Sequence, residues 1–230
     1  MKYPLRSCFP IVALALTALP VHAAVTFGSG ITGTISELNS STEMAYSGNQ
    51  SSTDLINGLT ASSVSGWNLT NGSTVAELND GIHGGTNIPI AGTWTTVGAT
   101  ATYTLGAGAN NLGFDITSIQ SIAAWVNVGF GNQAWTLATQ PFGGGAFTTA
   151  VTASYQPFAG TVGGTQVLVT DLNITGIQAV RLTANSVNGG ANSGAFVFRE
   201  FDVIGASTIP EPSSALLGAF GALALLRRRR

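Results

Sequence analysis

The chain has 230 residues, of which 44% are hydrophobic and only 8% charged, with a formal net charge of −2. That length is enough for one sizeable domain with its own core. The two ends mask an acidic middle: residues 24–209 hold no lysine, two arginines and nine carboxylates, a balance of −7. A surface with so few cations to displace counterions is a poor partner for nucleic acid or anionic lipid.

At the N-terminus, Lys2 and Arg6 precede an apolar run from Phe9 to Leu19, and Val21-His22-Ala23 follows as a small-residue cleavage motif. This pattern predicts an export signal over residues 1–23, cut between Ala23 and Ala24. Cys8, the single cysteine, stands before the apolar run and not after it, where a lipoprotein cysteine would be. The expected mature chain therefore has neither a disulfide nor thiol chemistry.

The first fifty residues after the cleavage point are rich in Ser, Thr, Gly and Asn and read as a looser arm. Asp54 to Leu59 reads as a strand or turn leading into the domain, and Glu37–Tyr46 and Val75–Asn79 as helical turns. From there the period is two. Thr100, Thr102 and Thr104 alternate with Ala101, Tyr103 and Leu105, which predicts a half-buried strand over 99–105. Further strands are expected over 119–128, 147–155, 166–170, 177–183 and 195–204. Glycine-rich turns at 106–108, 143–145, 163–164 and 189–190 separate them. No stretch of residues 24–209 carries a long amphipathic helix, so the expectation is a single all-β antiparallel sandwich or barrel. No linker or repeat divides it.

The chain ends in Pro210, Glu211 and Pro212, then twelve uncharged residues from Ala215 to Leu226, then Arg227, Arg228, Arg229 and Arg230. The prolines hold the backbone extended. As a helix the apolar stretch is about 18 Å long, short of a bilayer core of about 30 Å, so the arginines must snorkel for it to span. The charge rule then places the arginines in the cytoplasm and the rest outside. This three-part tail, under a tenth of the chain, resembles the PEP-CTERM sorting signal of Gram-negative bacteria. The resemblance implies transient insertion in the inner membrane, processing by an exosortase-like membrane protease, and export linked to extracellular polysaccharide. An ordinary C-terminal anchor is the alternative. The division expected is thus a signal peptide at 1–23, a secreted domain at 24–207 and a sorting segment at 208–230 with a short hydrophobic helix.

A second resemblance covers residues 77–205. Leu78-Asn79-Asp80-Gly81 with Thr86 and Trp94, Gln133-Ala134-Trp135-Thr136, Gly176 to Leu182 with its Arg-Leu ending, and Phe198 to Val203 follow in order. Together they resemble the discoidin-like, or galactose-binding-like, jelly roll. The segment from Asp80 to Thr86 is longer and richer in glycine than the family's. The resemblance implies a structural calcium held by the side chains of Asp80, Thr86 and Glu200, with backbone carbonyls near Leu78 and His83. Calcium takes six to eight hard oxygens from such loops. The alternative is that Asp80 is a turn residue before Gly81 and that Glu200 pairs with an arginine.

Catalytic residues are scarce. His83 is the one histidine of residues 24–209 and reads as a turn residue. Glu200 and Asp202, two apart, point to one side of a strand, but nothing selects a second acid facing them for hydrolysis. The expectation is a non-catalytic protein without organic cofactor. Phe130, Phe142, Tyr155 and Phe158 lie beside glycine or proline and are the candidate platforms for a carbohydrate in the loops, while Trp94, Trp125 and Trp135 read as core. A structural matrix or coat protein without a specific ligand is the rival expectation. On either expectation the protein is exported across the inner membrane and is expected at the cell surface or in the extracellular matrix after C-terminal processing.

Overall fold

The computed structural model describes residues 23–29, 53–67, 74–81, 93–125, 131–157, 163–187, 196–210 and 221. Nine strands account for most of them: β1 Ala24–Ser29, β2 Ser63–Trp67, β3 Thr93–Thr104, β4 Phe114–Trp125, β5 Gln133–Pro141, β6 Thr148–Tyr155, β7 Gly163–Thr170, β8 Ile174–Ala184 and β9 Phe196–Ser207. One 3-10 turn, Val75–Leu78, lies between β2 and β3.

All pairings are antiparallel, and hydrogen bonding runs β1-β7-β4-β9-β3-β8-β5-β6, with β2 on β3. The path folds over on itself at β3. Thr93 to Thr95 pair with β9, whereas Thr100 to Thr104 pair with β8. Gly98 sits between these two halves at φ +82°, a conformation that costs a side-chain-bearing residue strain. The chain therefore forms two facing sheets, β1-β7-β4-β9 and β2-β3-β8-β5-β6, a β-sandwich that shares β3. The first residues of β4 reach across to β8 at Phe114 and Ile116.

Alternation decides what fills the space between the sheets. Ala101, Leu182, Leu137 and Val151 align across β3, β8, β5 and β6, and all are buried. Their neighbours Thr100, Thr183, Thr136 and Thr152 form a row on the other face. Trp135 is fully buried and packs edge-on against Phe201 of the opposite sheet at 5.1 Å between ring centres. Its indole N–H donates to Ser121 Oγ at 2.9 Å and to Gln133 Oε1 at 3.0 Å. Gln133 Nε2 in turn donates to Thr165 Oγ1 at 2.9 Å, and Thr165 Oγ1 donates to the Gly131 carbonyl at 2.5 Å. The polar groups around this tryptophan are thus satisfied internally, as burial requires.

Three expectations need correction. Gly163 and Gly164 do not form a turn: they open β7 and pair with Trp125 and Ala124 of β4. Residues 24–29 are not part of a loose arm: β1 pairs with β7 from Ala24↔Thr170 to Ser29↔Thr165. Tyr155 is not in a loop: it closes β6, and its ring stacks on Phe27 at 4.7 Å. The expected strands at 99–105, 119–128, 147–155, 166–170, 177–183 and 195–204 all match observed ones, with shifted ends. Among the described residues no helix is long and apolar enough to cross a membrane. The apolar stretch 215–226 lies outside them apart from Gly221.

Candidate functional site

β9 makes an acidic site through a register shift. Ile122 of β4 faces Glu200, but the next residue, Ala123, faces Phe198, so Arg199 is the extra residue of a bulge. The bulge inverts the alternation. Phe196 and Phe198 before it, and Phe201 and Val203 after it, all join the core. Glu200 and Asp202 are left together on the other face.

That face is covered by two segments. Past Phe198 the edge of β9 is vacated by β3, and residues 53–55 take its place. Leu55 N–H donates to the Val203 carbonyl at 2.7 Å, and Gly205 N–H to that of Thr53 at 3.1 Å. Asp54 Oδ1 accepts the N–H of Val203 at 2.8 Å and that of Ile56 at 3.2 Å. The second segment is the 3-10 turn and residues 79–81. Asn79 Nδ2 donates to the carbonyls of Ile56 and of Leu59, the latter at 2.9 Å, while Tyr103 O–H donates to Asn79 Oδ1 at 3.2 Å. Gly81 N–H reaches Glu200 Oε1 at 3.3 Å.

The result is a three-carboxylate cluster. Asp54, Glu200 and Asp202 each present an oxygen within 4.8 Å of the others, and Glu200 and Asp202 are 1% and 3% exposed. Burial drives the Asp54 carboxyl up to about 6, against the two N–H groups that favour its charge. Burial also raises Asp202, with the Asp54 charge adding to it. Glu200 is raised most, by burial and then by the negative charges of Asp202, Asp80 and Asp54. Tyr103 is pushed up by burial and by Glu200 and Asp54. With both carboxylates ionised, Glu200 Oε2 is buried without a hydrogen-bond partner; a proton between them would give Asp202 a hydrogen bond to Glu200.

Of the calcium ligands implied by the jelly-roll resemblance, Glu200 is in this cluster and Asp80 is half-buried close enough for its charge to act on Glu200. Thr86 and His83 lie outside the described residues. Asp54 and Asp202 were not among them. Asp202 was visible as the neighbour of Glu200 at a spacing of two, whereas nothing local marks Asp54, which arrives from the far end of the domain.

The candidate aromatics do not converge. Phe142 is 39% exposed in the turn after β5. Tyr155 faces Gln133 at the other end of the same hairpin, roughly 25 Å away along the strand. Phe130 and Phe158 lie outside the described residues. The hairpin turn itself is firmly held. Its three glycines, Gly143 to Gly145, all have positive φ. Gly143 N–H donates to Gln178 Oε1 at 3.1 Å, Gln178 Nε2 to Gln140 Oε1 at 3.1 Å, and Gln140 Nε2 to the Gly145 carbonyl at 2.7 Å. At the foot of the turn the Arg181 guanidinium lies 4.5 Å over the Phe147 ring.

At the termini, Ala23 is exposed and Ala24 opens β1, so the expected cleavage point coincides with the start of the first strand. Pro210 is exposed after β9; Glu211, Pro212 and Arg227 to Arg230 lie outside the described residues.

No protein-family model matches the chain, and no curated protein matches it either. Solved structures similar to it include the CpGH89CBM32-4 module of Clostridium perfringens, 13% identical with a TM-score of 0.41, covering 66% of this chain and 98% of that one. The chitosan-binding module 1 of a chitosanase/glucanase from Paenibacillus sp. IK-5 is 14% identical, with the same coverage and TM-score. The family 32 carbohydrate-binding module of C. perfringens NanJ, solved with galactose, is 16% identical with a TM-score of 0.40, covering 63% of this chain and 92% of its own. All three are loose likenesses.

Proposed function

We propose that the chain is an exported, non-catalytic β-sandwich protein of the cell surface or extracellular matrix that engages carbohydrate at the Phe142 hairpin. The observation that carries this reading is an exposed aromatic ring on a glycine turn that two glutamine carboxamides hold in place. A ring face takes the apolar side of a pyranose, and neighbouring amide groups read its hydroxyls. Holding the turn before the ligand arrives lowers the entropy lost on binding. Export and delivery rest on the leader at 1–23 and on the PEP-CTERM-like tail, with an exosortase-like protease as processing partner and exopolysaccharide as destination.

The test is a glycan-array screen of the full chain beside its Phe142→Ala variant. A reproducible hit on the parent that the variant loses supports the reading. A hit that Phe142→Ala leaves untouched moves the site elsewhere. One observation favours the rival, a structural matrix protein without specific ligand: Phe142 has no second described aromatic at its end of the hairpin except Phe147, which Arg181 already covers. A screen without hits, the host's own polysaccharide included, selects that rival.

A further inference from the structure

We propose that the carbohydrate engaged at the Phe142 hairpin is acidic: it runs from the turn along the outer face of β8 and β5, where Arg181 takes the carboxylate of a uronate unit. This rests on the carbohydrate reading and names its substrate class.

Charge is divided unevenly between the two sheets. Residues 24–209 balance at −7. Yet β2, β3, β5, β6 and β8 contain no aspartate or glutamate, and their one charged residue is Arg181. The carboxylates that do lie on described strands, Asp115, Glu200 and Asp202, all belong to the opposite sheet. An acidic polymer is repelled there and meets no such field on the outer face of the five-stranded sheet.

Arg181 is placed to receive an anion. Of the two arginines among the described residues, Arg199 is 4% exposed, whereas Arg181 is half-buried. The Arg181 guanidinium lies over the Phe147 ring and makes no hydrogen bond or ion pair among the described residues. Stacking occupies its flat face and leaves the N–H edges open. A planar fork held in this way is arranged for two parallel bonds to a carboxylate. Thr102 of β3 stands beside it in register. The next row, Ser65, Thr100, Thr183, Thr136 and Thr152, carries hydroxyls across all five strands.

A second bulge joins this arginine to the hairpin. Ala179 faces Gln140 but Ile177 faces Pro141, so Gln178 is the extra residue of β8. Ile177 and Val180 both stay in the core, which leaves Gln178 and Ala179 on the outer face with Gln140. The two carboxamides thus lie between Phe142 and Arg181. Phe142 is four residues along the chain from Ala138, which faces Arg181, a reach of about 13 Å. An aromatic ring, two amides and a guanidinium in that order suit a short oligosaccharide with an acid away from the turn.

The experiment is a calorimetric titration of the full chain with oligomers of alginate and polygalacturonate, and with the same oligomers after reduction of their carboxyls to alcohols. Cationic glucosamine oligomers serve as the contrast, and Arg181→Gln, Arg181→Lys and Phe142→Ala stand beside the parent. The expected result is binding of an acidic oligomer that weakens at least about tenfold on carboxyl reduction, with a similar loss for Arg181→Gln. Arg181→Lys should recover part of that loss, because the charge stays and the fork goes. Carboxyl reduction leaves the protein untouched, so it reads the contact independently of how the variants fold. Equal binding of acidic and reduced oligomers, lost in Phe142→Ala, would overturn the proposal and leave the hairpin reading standing. A preference for glucosamine oligomers, or an acid preference that Arg181→Gln leaves intact, would also overturn it. Acid binding that needs Arg181 but not Phe142 would support the acid contact and move the site off the hairpin. Binding of none of these oligomers overturns the proposal, and the glycan array then decides the hairpin reading by itself.

Discussion

Without calcium, the fold should lose stability as pH rises, the reverse of the usual behaviour of a paired carboxylate. Asp54 is the clearest case. Its carboxyl goes from 3.8 to about 6 on folding. Between these values the folded chain holds a proton that the unfolded chain has released, so the fold binds more protons and stability falls with rising pH. The contribution is complete below about 3.8 and is lost as pH passes through 6. From pH 4.5 to pH 8, Asp54 alone removes about 2 kcal/mol. For a domain of this size that is a fall of roughly 4–8 °C in melting temperature. Asp202 and Glu200 are raised in the same direction and extend the loss to higher pH. Calorimetry of the full chain in chelator at both pH values measures it. A melting temperature that holds steady or climbs from pH 4.5 to 8 would refute the reasoning, because it would mean the cluster is neither buried nor crowded.

Gln133→Leu should destabilise the fold by about 2 kcal/mol, since it removes one hydrogen-bond partner each from the buried Trp135 and Thr165; chemical denaturation measures the cost. Glu211→Gln, or removal of Arg227 to Arg230, should leave the protein at the inner membrane in its long form. Immunoblots of cell fractions report this, and normal trimming and release would refute the sorting account.

The strands were legible because each sheet has one face inside and one outside, so Thr100 to Leu105 and Ile177 to Thr183 carry the alternation openly. What stayed hidden depends on contacts distant in sequence. Val25 and Phe27 alternate with Ala24, Thr26 and Gly28, yet β1 is an edge strand whose two apolar residues stay 47% and 45% exposed, so burial left little pattern to read. The Arg199 bulge is equally silent. Phe198-Arg199-Glu200-Phe201 could alternate in either phase, and only the pairing with Ile122 and Ala123 fixes which residues turn outward. The acidic cluster needs that phase and a residue from the other end of the domain as well. Sequence alone could supply Glu200 and Asp202, but Asp54 joins them only because β3 leaves an edge of β9 open for residues 53–55 to fill.

The most direct test of the central claim is a pull-down of the full chain by the host's own exopolysaccharide, run with calcium and with chelator, on the parent and on Phe142→Ala. The account predicts retention of the parent in calcium and at least a tenfold loss of retention for Phe142→Ala, a change of about 1.4 kcal/mol in affinity. Equal retention of both, or none of either, would contradict carbohydrate engagement at the Phe142 hairpin.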